Sequence, residues 1–137
     1  MKSRSTLVTA ALDEVAMLRA SDFRREELIT AQLLREYGKS SDLTNQLWFD
    51  LSAELRVNRR RDISDLLGLW IWRTSDNGSR IRHALDDWLR ACDDESKVWI
   101  ALHREGVPFA QEGDLLERAA ERFPGLVDLC REARLNR

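Results

Sequence analysis

Apolar residues recur three and four places apart along almost the whole of this 137-residue chain. Ile81, Ala84, Leu85, Trp88, Leu89 and Cys92 fall on one face at about 100° per residue, with Arg82, Asp86 and Arg90 on the other. Leu7, Val8, Ala11, Leu12, Val15 and Leu18 repeat the pattern, as do Leu115, Leu116, Ala119 and Phe123. That period suits amphipathic helices and not half-buried strands, which alternate. Turn-formers agree. The chain has six Gly and two Pro, where average usage would give roughly 16, and an all-β chain needs a turn about every 8–12 residues. The fold class is all-α.

About eight helices are expected. The first covers Ser5 to Ala20. Ser21 or Asp22 caps the second, with Glu26 and Glu27 in its first turn, and it stops at Tyr37 before Gly38. Ser41 or Asp42 caps a third helix carrying Leu43, Leu47, Trp48, Leu51 and Leu55, with Phe49 on its far face, so that it is covered on two sides. Asp62 caps a fourth, whose Ile63, Leu66, Leu67, Leu69, Trp70, Ile71 and Trp72 point nearly all round, the mark of a central helix. Trp72 lies about 180° from Ile63 and is the tryptophan placed to reach the surface. Gly68, inside that helix, implies close helix–helix approach. Ser75-Asp76-Asn77-Gly78 is the clearest turn, and Ser79 caps the fifth helix. Asp93 or Asp94 opens a sixth, ended by Gly106 and Pro108. After a loop to Gly113, Asp114 opens a short helix, Pro124-Gly125 breaks it, and Leu126 to Leu135 forms the last. No Ser/Gly/Pro-rich linker divides residues 1–137, which read as a single domain. Helical hairpins would begin near residues 5, 42, 79 and 113, a spacing in the range of hairpin solenoids. A compact bundle and a stack of helical hairpins both fit.

Cys92 and Cys130 form no CxxC pair and no disulfide framework, and read as two small buried thiols in a reducing compartment. The start of the chain lacks the apolar core and cleavage site of a secretory signal. The most apolar run, Leu66 to Trp72, is far shorter than the about 20 residues a membrane span needs. The protein therefore reads as cytoplasmic, with no membrane contact. No HExxH, phosphate loop, dinucleotide fingerprint or nucleophile elbow occurs, and no cofactor is implied. His83 and Asp87 are spaced to orient a general base or, with no nucleophile signature nearby, to form a surface ion pair, and His103 sits where a helix end favours it. Asp62 and Asp65, with Asp86/Asp87 or Asp93/Asp94, could supply carboxylate pairs for a Mg²⁺-dependent phosphohydrolase, although helix capping accounts for Asp62 and Asp93 without a metal.

Charge is laid out unevenly beneath a formal net charge of −2. Residues 56–85 carry seven arginines against three aspartates, a local +4, and residues 86–95 carry five acids against one arginine, a local −4. This pattern, without a catalytic constellation, leads to the expectation of a non-enzymatic protein-interaction domain, such as an immunity- or antitoxin-like inhibitor or an adaptor. Its acidic face would be Asp86, Asp87, Asp93, Asp94 and Glu95, meeting a basic partner. Its basic and aromatic face would be Arg56, Arg59, Arg60, Arg61, Trp72 and Arg80. The alternative is a nucleic-acid-associated regulator gripping phosphates through Arg56 to Arg61.

Overall fold

Residues 4–20, 28–109 and 113–135 are described by a computed structural model. Among them are nine α-helices, one 3-10 turn and no strand. The helices are α1 (Arg4–Ala20), α2 (Leu28–Tyr37), α3 (Leu43–Asp50), α4 (Ala53–Asn58), α5 (Arg60–Ile71), α6 (Ser79–Ala91), α7 (Glu95–Phe109), α8 (Gly113–Arg122) and α9 (Val127–Leu135), with the 3-10 turn at Pro124–Leu126. Contacts divide the chain into two units, Met1–Ile81 and Arg82–Arg137.

In the first unit, α1 packs against α2, α3 and α5. Val8, Ala11, Leu12 and Val15 supply its buried stripe, facing a core that includes Leu33, Leu43, Leu47, Leu66, Leu67 and Trp70. Burying a side chain of Val or Leu size contributes about 1.5–3 kcal/mol, so this stripe is the unit's main apolar seam. Polar bonds fix its register. Glu14 of α1 accepts the backbone N–H groups of Ile29 (3.2 Å) and Thr30 (3.1 Å) and the Thr30 hydroxyl (3.1 Å). A carboxylate of α1 is thus bonded to two backbone amides and a hydroxyl of α2, which sets the two helices against each other. The Trp70 indole N–H donates to the Thr30 carbonyl at 3.2 Å, tying α5 to the same residue.

In the second unit, α7, α8 and α9 pack on one another. Val98, Ile100, Ala101, Leu102, Leu115, Leu116 and Ala119 are buried there. The two thiols, Cys92 and Cys130, are free and buried. No helix among the described residues is long and apolar enough to cross a membrane.

Several local expectations need correction. The leucine repeat Leu43–Leu55 does not mark one helix. The chain turns extended at Leu51 (ψ 137°), and Ser52 restarts it as N-cap of α4 by accepting from Leu55 N–H at 3.2 Å. Leu51 stays buried across this break, which is why the repeat survives it. Phe49 is not covered but 75% exposed. Asp62 is not the cap of α5: Arg59 holds that position, and Asp62 lies in the first turn, bonded to the Arg59 guanidinium. Nor is α5 buried on every side. Arg61 and Trp72 are exposed and Asp65 and Leu69 half-buried, making one narrow solvent stripe. Asp42 does sit at the α3 N-cap, but its carboxylate makes no cap bond there and accepts from the Asn45 amide instead. Gly38 follows α2 without a left-handed conformation. It is needed for space, since a Cβ there would lie 2.8 Å from the Leu34 carbonyl oxygen. The helix α7 passes through Gly106 and Pro108 to Phe109 and does not end before them. The expected cap at Ser21 or Asp22 lies outside the described residues.

The turn at 75–78 is present, with Asn77 (φ 58°) and Gly78 (φ 78°) left-handed. Asp76, not Ser79, tends the start of α6. Its carboxylate accepts Gly78 N–H (3.1 Å), Arg80 N–H (3.0 Å) and the Arg80 guanidinium (2.9 Å). The Arg80 amide, more than any other group, holds this carboxyl well below the usual carboxylate range.

Glu14→Ala removes three hydrogen bonds to a carboxylate and should lower stability by about 2 kcal/mol in urea unfolding. Asp76→Ala should cost about 1 kcal/mol at neutral pH. Because the folded state lowers this carboxyl's pKa, its contribution is present above the ordinary carboxylate range and is lost as pH falls through the folded value. The gap between wild type and Asp76→Ala should therefore narrow in acid unfolding experiments below about pH 4.

Candidate functional site

The arginines singled out in the sequence are largely engaged within the first unit. Arg56 donates twice to the Trp48 carbonyl (3.1 and 2.8 Å), and its guanidinium lies over the Trp48 ring at 5.1 Å. It thereby closes the C-terminus of α3, whose last carbonyls lack helical partners. Arg59 binds Asp62 at 2.6 Å and Asp13 of α1 at 3.0 Å. The Asp62 bond is the main cause of its raised pKa. Arg80, besides Asp76, reaches the carbonyls of Gly38 (3.2 Å) and Ser40 (2.6 Å), pinning the segment after α2 to the start of α6. Arg60 is half-buried and has a partner, whereas Arg61 is exposed.

Trp72 stands apart from the other indoles. It is 85% exposed, while Trp48, Trp70 and Trp88 are buried. It occupies the C-cap position of α5 in right-handed helical conformation (φ −78°, ψ −7°). Arg61 lies eleven residues earlier on the same helix. At about 100° per residue the two positions fall within about 20° of one another, roughly 16 Å apart along the axis. A cation and an exposed indole therefore share one line of α5.

In the second unit the acidic residues divide by role. Asp94 accepts Lys97 N–H at 3.1 Å and so caps α7. Asp86 accepts from Arg90 at 3.1 Å through Oδ2, while its Oδ1 is buried without a hydrogen-bond partner among the described residues. Asp87 and Asp93 are exposed. Glu95 is also exposed, with Oε1 3.2 Å from where a Cβ on Gly125 would stand. Arg118 donates to the Arg90 carbonyl at the end of α6. His83 is exposed on α6, and His103 stacks on Trp99 at 4.6 Å within α7.

No group of three or more His, Cys, Asp or Glu among the described residues is arranged as a metal-ligand set. Asp62, half of the Asp62/Asp65 pair, is turned toward Arg59. Sequence reasoning missed two functional-looking groups: the exposed Phe49, and the Tyr37 hydroxyl. The latter is buried and donates to Asp50, which also pairs with Arg4 at 3.5 Å. Burial first, then the Asp50 bond, pushes the Tyr37 phenol well above its ordinary pKa, so it stays a proton donor to that carboxylate. No sequence signal marks a pairing between residues on separate helices.

Arg59→Ala tests the role of the basic segment. It removes the Arg59 cation from the buried Asp62 and should cost about 2 kcal/mol in urea unfolding, with Asp62→Asn added to it recovering part of the loss. Unchanged stability in the single variant would show that Arg59 is not structural.

No protein-family model, no curated protein and no solved structure matches this chain.

Proposed function

We propose that this chain is a non-enzymatic protein-binding module, an inhibitor of the immunity or antitoxin kind or a small adaptor, and that Trp72 anchors its partner. The observation that carries this reading is the 85% exposure of Trp72 at the end of a helix most of whose residues are buried. An indole left in water forgoes a large burial gain, and tryptophan is among the residues most enriched where binding energy concentrates. Arg61, on the same line of α5 but about three turns away, favours a partner that offers an apolar pocket for the indole and a carboxylate well removed from it. On the second unit, the exposed Asp87, Asp93 and Glu95 give a negative surface that steers and orients a basic region of a partner. Arg56, Arg59 and Arg80 hold the fold together, which leaves less of the basic segment for phosphate contacts.

Affinity capture with the wild-type chain and Trp72→Ala side by side, followed by calorimetry on any protein recovered, tests the reading. Trp72→Ala should keep its helical circular dichroism and weaken binding at least about 30-fold. A partner that binds both forms equally would remove Trp72 from the interface. Replacing Asp87 and Asp93 by Asn and Glu95 by Gln should slow association by about tenfold at low salt, with a smaller effect at high salt.

A further inference from the structure

The turn between α5 and α6 holds an Asn-Gly pair, Asn77-Gly78, the one such pair in the sequence. Asn is among the chemically labile residues. When glycine follows it, no side chain obstructs attack by the glycine amide nitrogen on the Asn side-chain carbonyl carbon. In that reaction the Gly78 N–Asn77 Cγ bond forms and the Cγ–Nδ2 bond breaks. The Gly78 amide proton departs with the side-chain nitrogen as ammonia, and a five-membered succinimide remains. Water then opens the ring at either carbonyl, giving an aspartyl or an isoaspartyl linkage. Only water is consumed.

The fold occupies the nucleophile. Gly78 N–H donates to Thr74 Oγ1 at 2.8 Å and to Asp76 Oδ1 at 3.1 Å. Thr74 Oγ1 is in turn held by the Ile71 carbonyl at 3.4 Å. Asn77 N–H bonds to the Thr74 carbonyl and Ser79 N–H to the Asp76 carbonyl, both at 3.2 Å, closing the turn on either side. Gly78 itself is buried, and an Ile71 methyl carbon lies 2.6 Å from where its Cβ would be. Asn77, by contrast, is exposed, so water is at hand for the second step.

We infer that Asn77 is a latent self-modifying site, locked by Thr74 and Asp76, and that opening of this turn controls its conversion. Gly78 N must leave both acceptors before it can reach the Asn77 carbonyl. If opening and closing are fast, the conversion rate is the intrinsic rate multiplied by the open fraction. The change is irreversible and local. An isoaspartyl linkage adds a backbone atom to a turn closed by hydrogen bonds on both sides, and an aspartyl product places a second carboxylate beside Asp76. Either product loosens the Asp76 cap on α6.

The test is a time course of the full chain at neutral pH and 37 °C, folded and in urea, read by peptide mapping for the amide-to-acid mass gain and for isoaspartyl content. Asn45 and Asn58, neither followed by Gly, are internal controls. Asn77 should convert in urea and be strongly protected in the folded chain. Thr74→Ala removes the shorter of the two bonds and should speed conversion about fivefold while the chain remains folded. Equal rates in folded and unfolded wild type, or an unchanged rate in folded Thr74→Ala, would overturn the inference. Should that variant not fold, hydrogen exchange at the wild-type Gly78 amide decides: slow exchange supports the lock, and exchange at the free-peptide rate rejects it.

Discussion

The carboxylate of Glu14 fixes how the first unit is assembled. Apolar burial draws α1, α2 and α5 together but is non-directional, so alone it leaves their registers open. Glu14, from α1, accepts the Ile29 and Thr30 amides and the Thr30 hydroxyl of α2, and Thr30 passes the constraint on, because its carbonyl receives the Trp70 indole from α5. Two turns along α2, Tyr37 packs its ring against Trp70 with centroids 5.8 Å apart and donates to Asp50 at the end of α3. Arg4, at the start of α1, pairs with that same Asp50 and lies over the Tyr37 ring. One chain of directional contacts thus links four helices and returns to the first. Moving any of them by a turn would leave buried polar groups unmatched, which costs more than any single bond gains.

The same logic explains the arginines. Helix ends present bare carbonyls, and short helices such as α3 and α4 have proportionately more of them. A guanidinium offers five donors in a rigid fork and stays charged, so one residue can serve several acceptors. Arg56 serves one carbonyl twice, Arg59 two carboxylates, and Arg80 two carbonyls and a carboxylate. A run of arginine that reads in sequence as a basic binding stretch is here a set of braces at element junctions.

What could be read from the sequence follows this division between local and distant causes. Helix positions, the turn at 75–78, the break at Pro124-Gly125 and the buried thiols depend on local period and punctuation, and these were legible. So was the exposure of Trp72, fixed by its angle from Ile63 on one helix. The split between α3 and α4 was hidden because Leu51 keeps the four-residue apolar beat while its backbone turns extended. Its local mark was Ser52, the one residue there able to cap a new helix. Asp62 offered two readings, a helix cap or half of a metal-binding pair with Asp65, and its ion pair with Arg59 is neither. Arg59 in turn meets Asp13 of α1, a contact between distant parts of the chain that no local pattern marks. The bonds of Glu14 were out of reach for the same reason, since no pattern within α1 points to the amides of α2.

Trp72 and Phe49 are both exposed aromatics of the first unit, yet they are not equivalent as anchors. Phe49 lies at the end of an eight-residue helix, one residue before Asp50 and two before the extended backbone of Leu51. Trp72 follows twelve residues of α5, with Trp70 and Ile71 buried beside it and Thr74 bonded back to the Ile71 carbonyl. Trp72 stands on a fixed element, so binding through it loses little conformational freedom. Its indole also has an N–H to offer at the edge of an apolar face, which a phenyl ring lacks. The features that immobilise the end of α5 are those that lock Gly78. The structure thus places the most exposed large apolar group among the described residues beside a turn closed by Thr74 and Asp76, an arrangement suited to presenting a preformed anchor.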